Sequence, residues 1–507
     1  MTAFRAILIG ASLALAGCGG CAGIDGTVDA GRDAGVDAGS DAARPRDAGI
    51  DATPWLPSLP TREVFAGDAG CPALPPPTRS YDPVPPGESP RLVFDKAPAT
   101  DPEISAALLA RDIRTVRFPN DIAFSKMPDG SVALLLNPSD ALFITPDGHF
   151  GDAAQVLHET TVVPAGGDWL LGRGDTSLGF INYHDMLMTT GFGIDASPSA
   201  DGGRAWRVLP AVQSTSRAVL AAGIDTLVQA CTSTHSIRWL VRYDVSRALA
   251  AYYDVFSTED QSVLFAPGGT EMYKFSSDGD LLVHAAAPGT DAGWVYFHAL
   301  AYVPACGFYV IARDARNDVR SLERWSADLE RLWRFSRPDE PGLELPMIEA
   351  QFSVMADCGV LTNYGTTSPS GTRIGGRLKI GPDGRELWRR VTSTDTMDAQ
   401  PGLPAFALRD GGFLVAGSAF DASGTAVLRF AADGSRTWRY VVPYSVEPGV
   451  IIDATKLLTA DGTLYWGADR GVGSSWAIVA VATGTEPAPY GWQGSGGNPF
   501  RTNGVTW

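Results

Sequence analysis

From residue 120 onward the chain alternates short apolar runs with turn residues, and the alternation has a repeat. Leu378-Lys379-Ile380 leads into Asp383-Gly384 and out through Leu387-Trp388. Val427-Leu428-Arg429-Phe430 leads into Asp433-Gly434 and out to Trp438. Leu142-Phe143-Ile144 precedes Asp147-Gly148, and Tyr273-Lys274-Phe275 precedes Asp278-Gly279; looser copies of the frame end on Trp206 and Trp333. Asp-Gly between such runs predicts a hairpin with a two-residue primed turn, and the tryptophan predicts packing between neighbouring sheets. A second element recurs between these turns: a glycine corner and a buried strand, as at 163–171, 303–311 and 408–416.

Each unit of about 50 residues thus carries about four short strands, the content of one propeller blade. The turn positions fall at 147, 201, 278, 328, 383 and 433, with Thr483-Gly484 next. The step from 201 to 278 is irregular and holds either an insertion or a degenerate extra blade near Arg242. The predicted fold is an all-β, seven-bladed β-propeller of four-stranded antiparallel blades, with eight blades as the alternative. A β-sandwich gives no reason for tryptophan to recur five residues after the aspartate. Only 101–110 and 246–252 are compatible with helix.

The Asp-Gly-x-x-x-Trp frame resembles the repeat of the pyrroloquinoline-quinone-type (PQQ-like) propeller family, as do Trp492-Gln493-Gly494 and Arg501-Thr502-Asn503-Gly504 near the C-terminus. The resemblance covers roughly 120–507 and implies the fold. For activity it implies a quinone-dependent dehydrogenase with calcium beside the cofactor and often a vicinal Cys-Cys pair; this chain has no Cys-Cys and no matching calcium ligands.

The N-terminus reads as an export signal. A short basic start is followed by an apolar stretch at 6–16, too short to span a bilayer, and then Leu15-Ala16-Gly17-Cys18, which resembles the lipobox of bacterial lipoproteins. The division read from the sequence is a lipoprotein signal peptide at 1–17 and an acidic Asp-Ala-Gly low-complexity tether at 18–53. A Pro-rich linker at 54–90 and the propeller at 91–507 follow. Between 19 and 57 there are seven aspartates and three arginines and no apolar face, so the tether is expected to be disordered and the linker an extended spacer. The expected location is the envelope of a Gram-negative bacterium, lipid-anchored through Cys18, in the outer membrane, facing periplasm or surface.

The formal charge of −17 argues against nucleic acid as a partner. Export permits disulfides: Cys306 and Cys358 occupy equivalent places in successive units and are a candidate pair, and Cys21–Cys71 is another. The six histidines form no metal-ligand spacing. His184, beside Asp185, is the most suggestive of them. No Gly-x-Ser-x-Gly elbow occurs, and the acidic segment at Asp314 lacks calcium-loop spacing.

No cofactor is expected, structural calcium being the reservation, and no catalytic residue is assigned. The reading is a monomeric, non-catalytic binding or scaffold module, touching the membrane through its lipid alone, whose protein or glycan ligand the sequence does not name. At fold level it resembles the propeller lipoprotein of the outer-membrane barrel assembly machinery. The alternative is a propeller enzyme, either a quinone-dependent dehydrogenase or a transferase or lyase using a channel histidine, acting on a small organic or glycan substrate. Function is expected where units depart from the repeat: between 201 and 278, and near Asp314 and Thr366. Tyr252, Tyr253, Trp294 and Tyr364 are aromatic candidates for a docking face.

Overall fold

The computed structural model describes the strands and tight turns from Thr61 to residue 489. Residues 1–60 and 490–507 lie outside the described set, as do the connections between second and third strands and most of the chain linking one sheet to the next. The signal peptide, tether, Cys18, Cys21, the 246–252 helix and the C-terminal motif therefore fall outside it.

Within the compact unit Leu56–Trp507, the described strands form eight antiparallel sheets. In chain order, blade 1 starts at Ala123–Lys126 and ends at Phe150–Gln155. Blade 2 runs from Val162–Gly166 to Met188–Phe192, and blade 3 from Leu209–Ser214 to Ile237–Arg242. Blade 4 runs from Asp254–Ser257 to Leu281–Ala286, and blade 5 from Trp294–Val303 to Arg331–Phe335. Blade 6 runs from Phe352–Val354 to Glu386–Thr392, and blade 7 from Ala405–Ala407 to Arg436–Val441. Blade 8 takes Leu457–Leu458, Thr463–Asp469 and Trp476–Ala482, and borrows its outer strand, Arg91–Lys96, from the N-terminal side of the chain.

Side chains alternate across a sheet, so a sheet can feed a core on each face. Val219 and Trp239 of blade 3 pack with Val255 and Phe265 of blade 4. Leu322 of blade 5 packs with Leu378 of blade 6, and Leu428 of blade 7 with Leu361 of blade 6. Phe94, Tyr465 and Ile478 of blade 8 pack with Phe124, Leu134 and Ile144 of blade 1. That last core closes the ring.

The count is eight, and the extra blade fills the irregular step. Blade 3 escaped the repeat because its outer hairpin lacks Asp-Gly: Cys231 N donates to Ser236 O across a longer connection. The outer hairpin of blade 2 closes between Asn182 and Met188, so the frame at 201 is not a blade turn of the described sheets.

The Asp-Gly turns also differ from the expected two-residue form. At Gly381–Arg385, Gly384 N donates to Gly381 O at 3.0 Å and Gly381 N to Arg385 O at 2.7 Å. Gly384 has φ of 80°, and Asp383 is not among the positive-φ residues. This is a three-residue turn with a glycine bulge. The aspartate has its own role: its carboxylate accepts the N–H two residues on, from Arg385 at 3.1 Å and, at Asp433, from Ser435 at 2.8 Å. The first hairpin of the blades repeats the device, as at Asp129, Asp357 and Asp410. A second bulge, just beyond the turn, leaves Leu282, Leu332 and Leu387 without an opposite partner. It throws them outward, which explains why they are half exposed.

The helix forms at Pro102–Ala110. Asp101 caps it, accepting Glu103 N at 2.9 Å, and proline stands at its first position. Ile104 and Leu108 go into the closing core.

The segment at 54–90 is not a free spacer. Thr61–Val64 adds a fifth strand to blade 3, in register from Thr61↔Arg242 to Val64↔Trp239. Cys71 is disulfide-bonded to Cys231, and Tyr81 N donates to Asp129 O of blade 1 at 2.7 Å. This strap runs from blade 3 to blade 1 and ends in the closing strand of blade 8. The surface it lies on is what the sequence does not supply.

Candidate functional site

The turns and tryptophans meet at the seams between blades. Trp333 of blade 5 donates its indole N–H to Pro382 O of blade 6 at 2.9 Å, and Trp388 of blade 6 donates to Ala432 O of blade 7 at 3.0 Å. Trp239 of blade 3 donates to Ser277 O of blade 4 at 3.1 Å. Each ring lies over the glycine of the turn it caps: a Cβ on Gly384 would stand 2.8 Å from the Trp333 ring, and one on Gly279 2.8 Å from Trp239. The glycine therefore serves both a positive φ and a contact that excludes any side chain. At the closure, Phe94 takes the tryptophan's place, its ring 2.6 Å from where a Gly148 Cβ would be.

Cross-strand from these seam residues stands a polar or cationic group. Arg324 faces Trp333, Lys379 faces Trp388, Arg429 faces Trp438, and Gln229 faces Trp239. Arg324 reaches Cys306 O and Pro382 O, and Arg429 reaches Asp410. Lys379 holds Asp357 at 3.0 Å; burial pushes its ammonium down, against the pull of Asp357. Lys274 donates to Asp328 of the next blade at 2.8 Å and lies 3.4 Å from Asp260 of its own. Burial would lower the Lys274 ammonium, but the two carboxylates carry it above its usual value. Glu323, wholly buried, accepts Arg334 Nε at 2.5 Å and Trp325 Nε1 at 2.9 Å.

The turn carboxylates give this system an acid limit. The Thr145 hydroxyl, then His149, holds Asp147 below the usual carboxylate range despite some burial. Ser435 does the same for Asp433. At Asp260 burial opposes, but Thr258, Ser262 and Lys274 prevail. A carboxylate whose folded pKa is depressed contributes stability fully above its unfolded pKa and loses it as pH falls through the folded value. Urea midpoints are therefore expected to hold above about pH 5 and to fall as pH drops below about 4. Asp147→Asn should flatten that fall.

Glu271, Tyr273 and His284 form a further acid–base group away from the turns. Tyr273 OH donates to Glu271 Oε2 at 2.5 Å, and His284 Nε2 lies 3.3 Å from the same oxygen. The Tyr273 and His284 rings stack at 4.9 Å. All three belong to the two outer strands of blade 4, and Tyr273 is part of the core shared with blade 3. No three His, Cys, Asp or Glu side chains among the described residues gather as metal ligands would.

The other sequence candidates fall in three groups. Cys306 and Cys358 are joined by a disulfide across the seam of blades 5 and 6, with Cα atoms 5.2 Å apart; Cys71 pairs with Cys231, not Cys21. Tyr364 is a core residue rather than a docking aromatic: it is buried between blades 5 and 6, with the Arg389 guanidinium 5.1 Å above its ring. Asp314 ends the second strand of blade 5, Thr366 stands one residue before the end of that of blade 6, and Trp294 opens the inner strand of blade 5. Asp314 and Thr366 thus point the chain away from the Asp-Gly turns. His184, Asp185, Tyr252, Tyr253 and residues 315–318 lie outside the described residues.

No family model matches the chain, and no curated protein is similar to it. Among solved structures, the fold is similar to that of BamB from Moraxella catarrhalis, with 10% identity and a TM-score of 0.43 over 72% of this chain and 97% of that one. The quinohemoprotein alcohol dehydrogenase ADHIIG from Pseudomonas putida HK5 gives 10% identity and 0.44, over 81% and 80%. The dihydro-heme d1 dehydrogenase NirN gives 15% and 0.40, over 63% and 65%. Likenesses this distant carry no substrate or partner across, and the architecture here rests on the strand pairing itself.

Among the described residues no helix is long and apolar enough to cross a membrane.

Proposed function

We propose that the protein is a non-catalytic binding or scaffold module, held at the bacterial envelope by lipid on Cys18 and presenting its propeller to a protein or glycan partner. One observation supports this most. Three buried charged groups of the described body, Lys274, Glu323 and Lys379, are each paired with a charge of their own or the adjoining blade. They stiffen a ring instead of converging on one reacting centre. A ring of paired sheets is suited to display. Cofactor and metal have no part in this reading.

Two measurements on full-length protein test it. Cys18→Ser is expected to move the protein from the membrane to the soluble fraction; retention on membranes would defeat the anchor. Elemental analysis and absorbance of the purified protein are expected to show neither stoichiometric metal nor quinone, and finding either would overturn the scaffold reading in favour of the enzyme.

A further inference from the structure

A chain anchored at one end transmits load to whatever it first meets in the fold. Here the order of attachment points is unusual. The first is the fifth strand of blade 3, Thr61–Val64, whose Phe65 N also donates to Arg238 O at 3.1 Å and whose Arg62 pairs with Asp280 of blade 4. The second is the Cys71–Cys231 bond. The third is the Tyr81 N–H on Asp129 O, and the fourth is Arg91–Lys96, which closes the ring.

The fourth point is the one the fold can least lose. Arg91–Lys96 is the outer strand of blade 8, it holds Phe94 over Gly148, and its Leu92 N donates to Tyr440 OH of blade 7 at 2.8 Å. Peeling it away would open the core shared by blades 8 and 1. A four-residue edge strand and hydrogen bonds such as that of Tyr81 are weaker guards against that than a covalent bond. The disulfide is such a bond: it lies upstream of the closing strand, and Cys231 is fully buried at the end of an interior strand paired on both sides.

We propose that the strap is a strain-relief clasp, in which load arriving along the N-terminal segment enters blade 3 through Cys71–Cys231 and never reaches the ring-closing strand. The proposal takes its load from the anchored reading above; the clasp itself is tested without reference to the membrane.

The test is single-molecule pulling on the full mature chain, held at its N-terminal end and its C-terminus. In the oxidised wild type, extension should stop at Cys71 once Thr61–Val64 has peeled from blade 3, with nothing further before blades unfold. In Cys71→Ser, an added low-force event should precede blade unfolding and release residues 72–96, a gain of roughly 85 Å at about 3.3–3.6 Å per residue. Cys231→Ser should do the same, and reduction of the folded wild type gives the same readout without refolding a variant. Cys306→Ser should leave the trace unchanged in this region. The same early event in the oxidised wild type, or its absence from the reduced protein and both strap variants, would overturn the clasp. Membrane retention of Cys18→Ser would instead remove the source of load and leave the pulling result standing.

Discussion

Replacing Glu323 with alanine is expected to lower the unfolding free energy by about 3–5 kcal/mol, the cost of removing one partner from a buried ion pair. The carboxylate is fully buried, and it accepts Arg334 Nε and Trp325 Nε1 while Arg331 Nη1 stands 3.8 Å away. Alanine would leave the indole N–H without its acceptor in the core shared by blades 4 and 5 and strip the Arg334 guanidinium of its carboxylate. Glu323→Gln keeps an acceptor and the shape while losing the charge, so it should cost less. Urea unfolding of the three proteins, with equal slopes, would rank them; a loss below about 1 kcal/mol for alanine, the range of an exposed pair, would show the group to be dispensable.

The second large effect is expected at Phe94. Phe94→Ala removes a ring buried in the closing core and should cost about 3–5 kcal/mol. The loss should also be uneven. Phe94 is both the seam residue over Gly148 and a member of the strand that closes blade 8. Hydrogen exchange should therefore rise first along Trp476–Ala482 and Ala123–Lys126, before it rises in blades 5 and 6. A uniform rise across all blades would mean that the ring melts as one unit and that closure has no special weakness.

The sequence made the fold legible because its chief device is local. Aspartate, glycine and tryptophan lie within six residues of one another, as at Asp383–Trp388, and each answers to one physical need: an acceptor for a turn N–H, a positive φ beneath an aromatic ring, and an inter-blade contact. What stayed hidden depends on residues far apart in the chain. Phe94 occupies a tryptophan's place but comes from the opposite end of the sequence, so no spacing reveals it. Cys231 sits 160 residues from Cys71, and the pairing follows only once the strap is laid on blade 3. Blade 3 hides for the converse reason: it keeps the seam tryptophan, Trp239, without the turn that announces it. The cations opposite the tryptophans were in view at Lys379 and Arg429, five residues before the turn glycine, and alternation alone treats them as outward-facing positions. Lys379 is instead buried at a seam. Tyr364, an aromatic near an irregular connection, fills a core, the usual role for a single such residue.

Borrowing the outer strand of blade 8 from the front of the chain also sets an order of assembly. Blades 1 to 7 each pair strands that follow one another closely, and can form as they are made. Lys96 pairs with Ile478, so the closing strand must wait until nearly the whole chain exists, and this most distant contact carries the largest loop-closure cost. Until then the apolar faces of Phe94, Phe124 and Leu142 have no blade 8 to cover them. The interval between making blade 1 and making blade 8 is therefore when this protein is most exposed to aggregation, and it is the stage at which a chaperone would have something to hold.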